Sequence, residues 1–175
     1  EENLNAFINI LVINFYEEFS ADDESLRESI KGALSAIPEK YAKDAFSEVM
    51  SAITKREKKE NLGKSVALSF KPTKSSESVT VYIENVLLKN EAISSFYRRL
   101  FIAYSKKLKN EREKIIHKHN YELLVNSVKK GLQICISLDN EHIYNDVSVY
   151  AIEPAKDELF NYVPLRHNKP LLSPI

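Results

Sequence analysis

The chain predicts an α+β protein: a helical front, one strand-helix-helix unit in the middle, and the beginning of a small β-barrel. Three observations carry this. Apolar residues recur at helical spacing over most of residues 3–56. Val66, Leu68 and Phe70 then alternate with Ala67, Ser69 and Lys71, ahead of two further amphipathic stretches. After Gly131 the period shortens to two and turn residues multiply, as in a meander. The divisions this implies are 1–62 (helical), 63–110 (strand-helix-helix) and 111–175 (a connecting helix and an incomplete barrel).

The front reads as three helices. Leu4, Phe7, Ile8, Leu11, Val12 and Phe15 share one face of residues 3–19. Residues 22–37 and 39–56 follow on either side of Pro38, with acids opening the first and bases closing the second, as the helix dipole favours. Leu26, Ile30 and Leu34 stripe one; Tyr41, Ala45, Phe46, Val49 and Ile53 stripe the other. Lys55 to Lys64 is charged, ends near Gly63, and reads as a mobile linker.

In the middle unit Pro72 stops the strand, and Ser75 or Ser76 offers an N-cap. Val79, Ile83, Val86 and Leu87 mark one helix. After a polar break at Lys89–Glu91, Ile93, Phe96, Leu100 and Tyr104 mark the next. A single strand leaves both edges open, and a second copy pairing antiparallel with it would close the core. The pattern also fits a piece of a larger α+β domain. It resembles the ribbon-helix-helix DNA-binding fold, whose two-stranded ribbon enters the major groove. That resemblance implies a homodimer in which Ala67, Ser69 and Lys71 face base edges. Ser94 and Ser95, at the start of the second helix, would hold a phosphate, with Arg98 and Arg99 one turn later.

Residues 3–19 align with that second helix at an offset of 89, matching Leu4 with Ile93, Phe7 with Phe96, Leu11 with Leu100 and Phe15 with Tyr104. They are therefore expected as the last helix of a first such unit, whose strand and first helix would precede Glu1.

Helical character continues through Arg112–Ile116 and Asn120–Lys130, with Leu123, Leu124 and Val128 inward and Gly131 as the stop. Leu132–Leu138, Ile143–Ile152 and Leu159–Val163 read as strands, with a turn at Asp139-Asn140 and a polar hairpin at Glu153–Glu158. The helix ending in Lys-Lys-Gly and the stretch VSVYAIEPAKDELFNYV resemble the start of a WYL domain, an SH3/Sm-like β-barrel. Its motif falls on Asn161-Tyr162-Val163, which keeps only the Tyr. The resemblance implies that later strands, with an Arg of the ligand surface, fall past Ile175. It also implies a role in sensing nucleic acids or nucleotide-like ligands.

Net charge is zero, but residues 1–30 hold eight acids against Arg27, and residues 89–118 hold nine bases against three acids. Cys135 is alone, which excludes a disulfide framework and a cysteine zinc site and points to a cytoplasmic protein. No apolar run reaches the ~20 residues of a membrane span. Three glycines cannot build a Walker loop or dinucleotide fingerprint. His117, His119, His142 and His167 are scattered and read as surface residues; Cys135, between Ile134 and Ile136, reads as a packed strand residue. No catalytic residue, metal or cofactor is therefore expected. Tyr144, Tyr150, Phe160 and Tyr162 fit core packing or base stacking, with Lys156, Arg166 and Lys169 near enough in sequence for phosphates.

The expected function is thus a non-enzymatic, nucleic-acid-binding regulator, read as a ribbon-helix-helix/WYL transcriptional regulator acting on DNA. The alternative is a WYL accessory protein that binds single-stranded RNA through Tyr150, Lys156, Tyr162 and Arg166 and stimulates a CRISPR RNA-guided ribonuclease. Ala67, Ser69 and Lys71 are poor in the Arg, Asn and Gln that usually read bases, which tilts toward that alternative. A third reading is an oligomerisation module alone.

Overall fold

The computed structural model describes residues 3–60, 70–88, 91–138, 142–157, 159 and 161–167. Among these residues it is α+β: six helices followed by a small open antiparallel sheet. The chain divides into two compact units, Glu1–Lys106 and Lys107–Ile175. The helical front and the middle helices thus share one core.

In the first unit α1 runs from Leu4 to Ala33. This corrects the expectation of separate helices at 3–19 and 22–37. The Ser20 hydroxyl donates to the Tyr16 carbonyl one turn back (2.5 Å), and neither Gly nor Pro interrupts the run before Gly32. The helix opens on Asn3, whose Oδ1 accepts from the N–H groups of Asn5 and Ala6 (3.1 and 3.3 Å). It closes beyond Gly32, where Leu34 and Pro38 turn the chain into α2, Glu39–Glu60. Helix therefore covers residues 55–60 of the expected linker; 61–64 lie outside the described residues.

The expected strand 66–70 lies outside the described residues except for Phe70, which is irregular and half-buried, its ring 5.5 Å from that of Tyr97. Helix α3, Lys74–Tyr82, is capped by Thr73 rather than by Ser75 or Ser76. Ser76 is the reciprocal member of the box: its Oγ accepts from the Thr73 N–H (2.8 Å) while Thr73 Oγ1 accepts from the Ser76 N–H (3.4 Å). The helix finishes in a π-turn over Ile83–Leu87, closed by Leu88 N–H on the Ile83 carbonyl (2.9 Å). Helix α4 is Ile93–Lys106.

Ile8, Leu11, Val12, Phe15 and Phe19 of α1 meet Ile83, Leu88, Phe96, Tyr97 and Leu100 in the core. Fully burying a side chain of this kind contributes about 1.5–3 kcal/mol, which is why α1 cannot leave the unit without unfolding it. Leu4 and Phe7, expected on the same apolar face, are 53% and 37% exposed, so that face is covered from Ile8 onward.

In the second unit α5 (Lys109–Ile116) and α6 (Lys118–Lys130) precede strands β1 (Gln133–Leu138) and β2 (His142–Val149). Gly131 ends α6 at φ 61°, the left-handed conformation that frees the chain for β1. β2 pairs on one side with β1 and on the other with β5 (Leu165–His167), a strand the sequence pattern did not indicate. Within the expected third strand, Leu159–Val163, β4 (Asn161–Tyr162) forms and pairs with β3 (Glu153–Pro154), while Phe160 lies outside the described residues. Among the described residues the result is an open three-stranded sheet plus a two-stranded ribbon, not a closed barrel.

β2 carries a bulge. Ile134 pairs with Val147 but Ile136 with Tyr144, so Asn145 and Asp146 together oppose Cys135. Asp146 takes φ 57°, which Asp tolerates better than most residues. The extra residue lets Tyr144 and Val147, three apart, both turn toward the covered face; Val147 and Val149 are buried. Two inward assignments are corrected here: Leu123 is 52% exposed, and Cys135 is exposed because it faces away from Ile134 and Ile136.

Candidate nucleic-acid interface

Helices α1 and α4 cross antiparallel in the first unit. Phe7 meets Tyr104 (ring centroids 6.0 Å), Phe15 meets Tyr104 (6.2 Å) and Phe19 meets Phe96 (5.1 Å). Phe15 and Tyr104 are equivalents under the 89-residue offset. Two matched residues in mutual contact sit where an internal two-fold axis would pass.

Two asparagines of α1 hold the chain entering α3. Asn5 Oδ1 accepts from the Lys71 N–H (2.7 Å), and Asn9 Nδ2 donates to the Lys71 carbonyl (3.1 Å). Asn9 Oδ1 also accepts from the Thr73 N–H (2.9 Å) and from the Ser76 hydroxyl. Asn9 is 3% exposed, and its amide is satisfied on both sides, as a buried amide must be. The backbone of Lys71 is therefore fixed while its side chain is exposed. Sequence reasoning missed both asparagines as positioning groups. The available signal was a polar Asn9 between Ile8 and Ile10 in an otherwise apolar run.

The start of α4 is held by a cluster of four ions. The Arg99 guanidinium grips Asp23 with Nε and Nη2 (2.9 and 3.1 Å) and reaches Glu91 through Nη1 and Nη2 (3.2 Å for the latter). Arg27 bridges the same two carboxylates, with Nε on Asp23 (2.7 Å) and Nη2 on Glu91. Burial pulls the Arg99 guanidinium down, but hydrogen bonds and charge from Glu91 and Asp23 outweigh it and hold it above its ordinary value. Two cations and two anions balance, which makes burial tolerable.

Of the phosphate-contact candidates, Ser94 and Arg98 are exposed and Ser95 is half-buried; Ser95 and Arg98 line a cleft of about 1250 Å³ with α1 and α2. Arg99 is 4% exposed with its guanidinium committed to Asp23 and Glu91, so its place is inside the unit. Ala67 and Ser69 lie outside the described residues.

In the second unit register decides the faces. Ser148 opposes Arg166 on one side and Gln133 on the other, so these three share the face away from Val147. Tyr150, two residues beyond Ser148, continues that face and is 55% exposed; Arg166 is exposed as well. An aromatic ring and a guanidinium are thus brought to one open surface. Lys156 is exposed in the turn after β3. Tyr162 pairs with Glu153 in the ribbon, and its side chain lies outside what the structure describes. Asn161 is anchored to α5: its N–H and Nδ2 both donate to Glu113 Oε2 (2.7 Å each), and Nδ2 donates to the Asn110 carbonyl (2.8 Å).

Among the described residues, no three His, Cys, Asp or Glu side chains are grouped to hold a metal ion. No helix among them is long and apolar enough to cross a membrane. Neither a family model, nor a curated protein, nor a solved structure matches the chain.

Proposed function

We propose that this chain is a nucleic-acid-binding regulatory protein of the ribbon-helix-helix/WYL kind, a transcriptional regulator whose sheet unit senses a ligand. The observation that carries the reading is the antiparallel crossing of α1 over α4 at Phe15 and Tyr104. It sets face to face two segments matched by one offset, as two tandem units related by an internal two-fold axis would be. On this reading Ser69 and Lys71 meet base edges while Ser94, Ser95 and Arg98 contact phosphates. Asn5 and Asn9 set the approach of Lys71, and Arg99 sets the start of α4 from within. The protein acts as a homodimer on symmetric half-sites.

A second reading rests on the exposed sheet face. Tyr150 beside Arg166 supplies a stacking ring and a cation, the pairing that single-strand binders use. Under it the protein binds single-stranded RNA and stimulates a CRISPR effector ribonuclease, and the first unit is a scaffold.

Fluorescence anisotropy against duplex DNA and single-stranded RNA separates the two. Duplex preference that weakens in Lys71→Ala and Arg98→Ala supports the regulator. Preference for single-stranded RNA that weakens in Tyr150→Ala and Arg166→Ala supports the accessory protein. Binding to neither at low salt overturns both.

A further inference from the structure

The sheet of the second unit ends on β1, Gln133–Leu138, and among the described residues no strand takes its outer edge. Edge strands are ordinarily blunted by Lys, Pro, a bulge or short length, because their unpaired N–H and C=O groups recruit other chains. This edge is six residues long and carries neither charge nor proline. The bulge that could have twisted it away belongs to β2 instead.

Together with Leu132 the strand reads Leu-Gln-Ile-Cys-Ile-Ser-Leu. About Cys135 that sequence has the same residue classes in both directions: Ile against Ile, Gln against Ser, Leu against Leu. A two-fold antiparallel pair sets each residue before the axis against its counterpart after it, so here apolar meets apolar and polar meets polar.

We infer that β1 is a homodimerisation edge, pairing antiparallel with β1 of a second copy about an axis at Cys135. The two three-stranded sheets then join into one of six strands, ordered β5-β2-β1-β1-β2-β5. Ile134 faces the partner's Ile136 on the side that carries Val147, so the apolar layer runs on across the axis. Cys135 faces the partner's Cys135 on the exposed side. This interface lies in the second unit and stands whether or not the protein binds nucleic acid.

The test uses the full chain. Opposed residues of an antiparallel pair have Cα atoms ~4.5–5.5 Å apart, within the ~4.4–6.8 Å that a disulfide spans. Diamide takes up the two electrons and two protons that two thiols release. It should therefore convert the protein to a covalent dimer at a rate that does not fall on dilution while the dimer persists. In reducing buffer, sedimentation equilibrium of Cys135→Lys, which sets like charges face to face, should show the dimer dissociation constant raised by about 2- to 5-fold. Cys135→Ser should leave association intact and abolish the cross-link. A monomer at all concentrations overturns the proposal. So does cross-linking that slows in proportion to dilution, or a dimer whose Cys135 reacts with a soluble disulfide reagent yet never cross-links.

Discussion

Replacing Arg99 with methionine should be among the most damaging single changes in the first unit. The side chain is 4% exposed, and its fork bonds Asp23 through two nitrogens and Glu91 through two. Methionine fills much of the volume but leaves Asp23, itself 5% exposed, and Glu91 sharing Arg27 as their one remaining partner in the cluster. Breaking a buried pair from one side costs about 3–5 kcal/mol, because a desolvated charge is left uncompensated. A typical domain has about 5–15 kcal/mol in total, so about a fifth or more of its stability goes. In urea, at a slope of about 2 kcal/mol/M, the midpoint should fall by about 2 M. Tyrosine fluorescence and far-UV circular dichroism would follow the transition. The double variant Asp23→Leu/Arg99→Met leaves Arg27 balanced by Glu91. It should be more stable than Arg99→Met alone, giving a coupling energy of about 1–3 kcal/mol. A loss below about 0.5 kcal/mol for Arg99→Met, or strict additivity in the double variant, would refute the reasoning.

Three further outcomes follow from neighbouring contacts. Asn9→Leu should cost about 2–4 kcal/mol, because the Thr73 N–H and the Lys71 carbonyl lose a buried partner; hydrogen exchange at Thr73 should quicken. Gly131→Ala should cost about 1–2 kcal/mol in the second unit's unfolding from the left-handed φ alone, since an added Cβ meets nothing within 4 Å. Burial raises the Tyr97 phenol above its ordinary value; the Glu84 carboxylate adds to this and the Thr80 hydrogen bond opposes it. The folded state therefore keeps that proton longer than the unfolded chain, which releases it near pH ~10. The contribution is complete below that pH and is lost as pH rises from there through the folded value. Tyr97→Phe should flatten the alkaline decline in urea midpoint.

Much of this fold is legible in the residues because burial writes a period. Phe96, Leu100 and Tyr104 gave α4, and the alternation around Ile134 and Ile136 gave β1. What escaped was local competition. The acids from Asp22 onward read as the opening of a new helix, but the Ser20 hydroxyl bonds back to Tyr16 and Asp23 turns inward to Arg99, so α1 runs on. Arg99 looks like a surface cation beside Arg98; only the antiparallel crossing of α1 brings Asp23 to it. β5 has three residues, too short for a period, and register with β2 rather than pattern defines it. At the bulge in β2 the period itself breaks, which moves Tyr144 and Val147, three residues apart, to one side. Of the candidate site, the exposed Lys71, Ser94, Arg98, Tyr150, Lys156 and Arg166 could be picked from the sequence. Asn5 and Asn9, which fix the backbone at Lys71, bond partners 62 and 66 positions away, and the one local hint of this is a polar Asn9 in an apolar run.

The measurement that bears most directly on the proposed function is the salt dependence of duplex DNA binding by the intact protein and two variants. Each phosphate neutralised by a side chain contributes about −0.9 to the slope of log K against log salt. The wild-type protein should bind with a negative slope, and Arg98→Ala should make that slope shallower by about one for each copy engaged. Arg99→Lys, by contrast, keeps the buried charge and should change the urea midpoint more than the slope. A slope unaltered by Arg98→Ala, or affinity independent of salt, would contradict a phosphate contact at the start of α4 and with it the regulator reading.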